Sequence, residues 1–376
     1  MKAPLCLFVL SADFGEFVTA NLFARGQPFD SRFALPPRLA QHVPADQQGV
    51  CVYQSVADLQ QLVDALHPDV VLLCSGYLFA VNGLMAAEHL AAFVKRLGDQ
   101  GIGVATTDPW LAIWRLDPQT CFDIFSVRRG GVDPALSERM NALQKYLGMV
   151  FHDVDHLYAV PLACGAARQH SFFNSQFASA ASTVTAVAPA RNDDWLMVIS
   201  REDYVMRAGL AASTFLDDLS ARISEILAPT KNRLTVIGPA ELAVFLRKKW
   251  SSRERLCIHD FCDFNRFEAL LRQARVVIYW NVLSSSLLYC LYCRIAPIFF
   301  GTGHQVKVCR GLLAHVTATV YRGNAPPILD PAAPLEGDAD VLLDRLGVMP
   351  WLDRLRADYC QLPAPMNIFN QIRRRG

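Results

Sequence analysis

Three groups of residues between Leu256 and His304 have the chemistry to hold a phosphate: His259 with Asp260, then Asn281 with Ser284, Ser285 and Ser286, then Gly301, Gly303 and His304. Serine hydroxyls and backbone N–H groups at a helix start, reinforced by the helix dipole, bind phosphate oxygens without a metal. The same serines also suit an ordinary helix cap, and the two roles are compatible. Glycine lets a backbone approach its ligand closely.

The elements that must position these residues are legible around them. Val276–Trp280 and Ala296–Phe300 are apolar runs without alternation, as expected of parallel strands buried on both faces, and the segments between them are long enough for crossover helices. All three polar groups fall at strand ends. In open α/β sheets ligands sit at the carboxyl ends of strands, so the arrangement implies a nucleotide-phosphate crevice. Val276–Cys293 carries no charge, but Asn281, three serines and then Pro297 interrupt the pattern, which argues for strand, turn and helix rather than a membrane span.

Composition narrows the possibilities. With 376 residues the chain has room for two domains, and 36 basic against 35 acidic residues leave a formal charge of +1, giving no footprint for nucleic acid. The basic clusters Arg247–Arg255 and Arg373–Arg375 are the places for a peripheral contact with an anionic membrane, and otherwise read as a solvated helix end and terminus. Eleven scattered cysteines in apolar surroundings read as reduced core residues. Cys290 and Cys293 lie inside a helix with no second pair to complete a zinc site, which favours packing. The apolar run Leu5–Leu10 is shorter than the roughly 7–15 residues of a signal-peptide core and reads as a first buried strand, so a cytoplasmic location is expected.

Along the chain, strands are expected at Leu5–Ser11, Val50–Gln54, Asp69–Cys74, Gly101–Ala105 and Leu157–Pro161, with helices at Val56–Leu66 and Gly83–Leu97. Residues 162–194 are rich in Ala, Ser, Gln and Asn and read as a connection. The pattern then restarts with a strand at Trp195–Ile199, a helix at Arg207–Leu227, a strand at Leu234–Ile237 ending in Gly238, and a helix at Ala240–Lys249. Helical pieces at Val341–Leu355 are expected to break at Pro350. The expected domains are residues 1–190 and 191–346, with the tail 347–376 packing back on the first.

Over Trp195–Gly303 this pattern, with its Gly-Pro, His-Asp-Phe, Asn-x-x-Ser-Ser-Ser and Gly-Thr-Gly-His turns, resembles the donor domain of GT-B glycosyltransferases. The resemblance implies an α/β fold of two Rossmann-like doubly wound domains facing a cleft, and transfer of a sugar from a nucleotide-sugar donor to an acceptor glycan, lipid, metabolite or protein. It places the donor's base near His259, Asp260 and Phe261, and its diphosphate near Asn281 and Ser284–Ser286. Gly238, Gly303 and His304 complete the donor turns. Ser200 and Arg201, after the first strand of the second half, would face the leaving diphosphate, although Arg201 also suits a surface ion pair with Glu202 or Asp203.

Inversion also needs a base, and the strand-end carboxylates of the first half are Asp13, Glu16 and Asp108. Asp13 leads, because it directly follows the first strand beside Gly15. Asp108 precedes Pro109 and also suits a turn cap. Many retaining members carry paired glutamates eight positions apart, and no second-half glutamate here has such a partner, which points to inversion. No Asp-x-Asp stands in a recognisable nucleotide domain, so no metal and no cofactor beyond the nucleotide-sugar co-substrate is expected. Two other readings remain: a sialyltransferase-like enzyme using a CMP-sugar, and a non-catalytic GT-B-like subunit that binds a partner or a nucleotide sugar.

Overall fold

The computed structural model describes residues 3–11, 14–43, 49–81, 84–108, 111–113, 118–125, 146–162, 168–177, 194–229, 231–250, 254–260, 262–303, 306, 309, 311–330, 333–335 and 338–376. Contacts between Cα atoms divide the chain into two compact units, residues 1–179 with 358–376, and residues 180–357.

Unit 1 grows from the apolar strands β1 (Leu5–Leu10) and β4 (Val70–Cys74), in which every residue is buried. Between them in the chain come α1 (Phe14–Ala24), β2 (Asp30–Leu35), α2 (Pro37–Ala40), β3 (Val50–Val52) and α3 (Val56–Leu66). Then follow α4 (Leu78–Val81), α5 (Ala87–Asp99), β5 (Gly103–Thr107), α6 (Pro118–Phe125), a π-helical turn at Leu147–Phe151, β6 (Asp155–Tyr158) and β7 (Gln169–Ser171). The sheet order is β3-β2-β1-β4-β5-β6-β7 and every pairing is parallel, with Phe8 opposite Phe33 and Leu10 opposite Cys74. The first six strands have the Rossmann order, which reverses between β1 and β4.

Local chemistry sets the helix bounds. Ser55 and Asp58 form a reciprocal capping box at the start of α3, and His67 ends the helix with a left-handed backbone, φ 49°. On α5, Leu90, Phe93 and Leu97 recur at helical spacing and bury one face against Leu7, Val9, Val71 and Leu73 of the sheet.

Unit 2 repeats the scheme with β8 (Asp194–Val198), α7 (Arg201–Ile226), β9 (Arg233–Ile237), α8 (Ala240–Lys249), β10 (Leu256–His259), α9 (Phe264–Gln273), β11 (Val276–Tyr279), α10 (Leu287–Cys293) and β12 (Ala296–Phe299). The order β10-β9-β8-β11-β12 is again wholly parallel and reverses between β8 and β11. Next come α11 (Leu312–Thr319), α12 (Ala339–Leu346) and α13 (Val348–Tyr359). The expected break at Pro350 is displaced: Gly347, at φ 58°, ends α12, while Pro350 lies in the first turn of α13, where backbone N–H groups have no intrahelical partner to lose.

The final helix, α14 (Pro365–Arg373), belongs to unit 1. Phe369 stacks on Phe29 at 4.6 Å between ring centroids, and Arg373 pairs with Asp69 at 2.8 Å. Among the described residues, no helix is long and apolar enough to cross a membrane.

The stretch expected to be a bare connection holds β7 and the wholly buried Asn174. The Asn174 amide donates to the carbonyls of Leu22 (2.9 Å) and Arg25 (2.8 Å), at the end of α1, and its Oδ1 accepts from the Phe177 N–H at 3.0 Å. Helix-end carbonyls that α1 cannot satisfy itself are thus closed by a residue far along the chain. Removing the amide strands several buried polar groups, at roughly 1–3 kcal/mol each. Asn174→Ala is therefore expected to lower the unfolding free energy of unit 1 by about 2–4 kcal/mol, measured by urea denaturation followed through far-UV circular dichroism.

Candidate functional site

In unit 2 the carboxyl ends of β8, β11 and β12 gather the polar residues. The turn after β11 is the most unusual. Asn281 Oδ1 accepts from the Leu283 N–H at 2.7 Å, which folds the chain back after the strand. The N–H groups of Leu287, Leu288 and Tyr289 then bond to the carbonyls of Ser284, Ser285 and Ser286, winding the entry to α10 as a tight i→i+3 coil. The backbone N–H groups of Ser284, Ser285 and Ser286 themselves have no acceptor among the described residues. Three successive open donors make an anion-binding concavity.

The serine side chains divide their labour. Ser286 is buried and does not cap the helix; its hydroxyl donates to the Tyr279 hydroxyl at 3.1 Å and lies 2.9 Å from Ser284 Oγ. Burial, chiefly, pushes the Tyr279 pKa well above its ordinary value, so this phenol stays neutral. Ser284 and Ser285 are half-buried. Gly303 has φ 92° and lies against the Asn281 side chain, where a Cβ would collide. Thr302 accepts the Val282 N–H at 3.5 Å, tying the turns after β11 and β12 together.

The turn after β8 assigns Ser200 and Arg201 different surroundings. Ser200 Oγ accepts from the Asp203 N–H at 3.0 Å and donates to the Asp203 carboxylate at 2.9 Å, so it is the cap of α7. Arg201 is exposed on the first turn. The cation that sequence reasoning passed over is Arg207, further along α7. Its guanidinium lies 4.7 Å from the centroid of Trp280, which directly follows β11, and 5.8 Å from that of Phe215. Nη2 is fully buried with no hydrogen-bond partner among the described residues and faces Gly301, where any side chain would collide with it. Burial lowers the Arg207 pKa, opposed by Asp203 and Asp218. No local pattern in the sequence singles out Arg207, whose surroundings come from Trp280 and Gly301.

At the far edge of the sheet, His259 ends β10 with Nε2 3.3 Å from Cys257 Sγ. Burial first, then Arg266 and Arg247, push its pKa down against Asp260, leaving a neutral imidazole at physiological pH. Asp260 is exposed and pairs with Arg247 at 3.4 Å. Gly238 follows β9, and a Cβ there would press on Leu242. Phe261 and His304 lie outside the described residues.

In unit 1 two of the three expected carboxylates are braces. Glu16 is buried, and its carboxylate accepts from both the Ser11 N–H (2.6 Å) and the Ser11 hydroxyl (2.5 Å), closing the turn between β1 and α1. Beside it, Tyr53 donates to the Leu10 carbonyl at 2.6 Å, and burial, then the Glu16 charge, raises its pKa. Asp108 Oδ2 accepts from the Ala112 N–H at 2.8 Å and from the Tyr158 hydroxyl at 3.1 Å. Leu111 and Ala112 both have positive φ, 55° and 61°, so Asp108 anchors a strained turn. Asp13 lies outside the described residues.

No protein-family model matches the chain, and no curated protein sequence matches it. Solved structures do. Spinosyn rhamnosyltransferase SpnG complexed with thymidine diphosphate is 12% identical, with a TM-score of 0.52 over 99% of this chain and 100% of that one. SpnG with spinosyn aglycone gives 12% and 0.52 over 97% and 99%. A UDP-glucosyltransferase from Polygonum tinctorium, in complex with 3,4-dichloroaniline, is 10% identical, with a TM-score of 0.53 over 99% and 98%. Two wholly parallel α/β units with Rossmann strand order, matched along almost the full length of these glycosyltransferases, give this chain the GT-B fold.

Proposed function

We propose that the protein is a glycosyltransferase that draws its sugar from a nucleoside-diphosphate donor bound at the carboxyl ends of the unit 2 strands. The observation that carries this reading is the run of three open N–H groups at Ser284–Ser286, at the point where the strand order reverses. The donor's phosphates accept from those amides and from Arg207, which the Trp280 ring and Gly301 hold in place. Arg207 takes the leaving-group role in preference to the exposed Arg201, because a fixed, partly desolvated guanidinium stabilises developing phosphate charge without reorganising. Neutral His259 is suited to a nucleobase rather than to a phosphate.

The reaction is proposed to invert. The acceptor hydroxyl attacks the anomeric carbon as the bond to the diphosphate breaks, and Asp13 takes the hydroxyl proton. With Glu16 and Asp108 already committed to backbone donors, Asp13 is the remaining candidate of the three. Positive charge from amides and a guanidinium replaces a divalent cation in this scheme. A cytoplasmic location belongs to the same reading and is supported by the nine described cysteines, all of which are free. The structures of similar fold include one with thymidine diphosphate bound, which makes a nucleoside diphosphate the first probe to use.

Arg207→Met should weaken nucleoside-diphosphate binding about 10- to 100-fold by calorimetry, the equivalent of one charge-assisted hydrogen bond. Gly301→Ala, by displacing the guanidinium, should produce a similar loss, and unchanged affinity in both would remove Arg207 from the site. Transfer should persist in excess chelator; complete loss restored by Mg²⁺ or Mn²⁺ would show that a cation meets the leaving group. Asp13→Asn should cut turnover by roughly 10²-fold or more with donor affinity preserved. Asp108→Asn, by contrast, should act chiefly on thermal stability, and the reverse pattern would transfer the base role to Asp108.

A further inference from the structure

Where β5, β6 and β7 begin, unit 1 holds a cavity of about 310 Å³. None of its lining residues is among the candidate residues discussed above. Val94 of α5, Ile102 and Val104 beside and within β5, and Ile372 of α14 give it an apolar floor. Its charged rim consists of Asp153, Asp155, Arg168 and Arg375, with His152. The rim thus offers both carboxylate acceptors and guanidinium donors.

Two of these groups are not used up by the fold. The Asp155 side chain is only 3% exposed; its Oδ1 accepts from His170 Nε2 at 2.7 Å and from Arg375. Its Oδ2 has no hydrogen-bond partner among the described residues. Arg168, just before β7, has a left-handed backbone at φ 66°, and its side chain has no partner among the described residues. A carboxylate oxygen left open can accept from a ligand donor, and an open guanidinium calls for an acceptor.

We propose that this cavity binds a neutral, hydroxyl-rich ring, a pyranose sugar, at a second site away from the strand ends that carry the transfer chemistry. One ring hydroxyl donates to Asp155 Oδ2, its neighbour accepts from Arg168, and the C–H face of the ring rests on Val94, Ile102, Val104 and Ile372. An anion would meet Asp153 and Asp155, and a lone cation would leave the open Arg168 guanidinium without an acceptor, so a ligand that offers both a donor and an acceptor fits best. The volume is that of a small-ligand pocket.

The test is titration of the full chain with glucose, galactose, mannose and N-acetylglucosamine, followed by backbone amide chemical shifts. At least one sugar should saturate, with shifts centred on Gly98, Ile102 and Val154. Arg168→Gly, which suits the left-handed backbone and leaves the Asp155–His170 pair intact, should weaken that sugar by roughly tenfold or more at unchanged melting temperature. A saturating nucleoside diphosphate should not displace it. The proposal is overturned if no sugar saturates, if glycine or inorganic phosphate shifts these amides instead, if Arg168→Gly binds as before, or if the nucleotide competes. None of these results depends on whether the protein transfers sugars.

Discussion

Burial of parallel strands on both faces is the constraint from which the rest follows. A strand such as β1 or β4, covered above and below, has no solvent side on which to carry a polar residue. Each parallel pairing also needs a connection that carries the chain back to the start of the sheet, here mostly through a helix, so all strands of a unit finish on the same side. Polar groups are thereby confined to the turns, and those turns are brought together. In unit 2 the strand order reverses between β8 and β11, so the turns that carry Ser200 and Asn281 follow neighbouring strands at the point where such sheets bind their ligands.

What fills that edge is decided by commitments already made to the backbone. Carboxylates and hydroxyls with full hydrogen-bond complements, such as Glu16, Asp108 and Ser200, hold turns in shape and have little capacity left for a ligand. Among the described residues, the groups the fold leaves unanswered at this edge include the amides of Ser284–Ser286 and the Arg207 Nη2. An unsatisfied buried donor is costly in a folded protein and persists where something else satisfies it.

Much of this was legible in the sequence, and the exceptions have physical reasons. α3 and α8 lie within the residues expected of them, because each has a clear start and an uninterrupted apolar period. β2 was missed because its first half, Asp30–Arg32, is polar and only partly covered, and β7 because a three-residue, half-exposed edge strand has no apolar run to announce it. The start of α7 was placed too late, since Ser200 and Asp203 form the cap ahead of the first apolar positions. Strand-end residues were readable as a class. Arg207 was not, because its importance depends on Trp280 and Gly301, which are distant in sequence and adjacent only once β11 and β12 are paired.

The return of the chain to unit 1 has a consequence for the order of assembly. Residues 358–376 belong to unit 1, and Phe369 stacks on Phe29 across the whole of unit 2 in sequence. During vectorial synthesis the ribosome releases β1 to β7 first, yet the aromatic partner of Phe29 is still unmade. Unit 2 is contiguous and has all its parts before unit 1 does. The earlier-born unit is therefore the later-finished one, and through translation its unclosed apolar face is a surface for chaperones to guard.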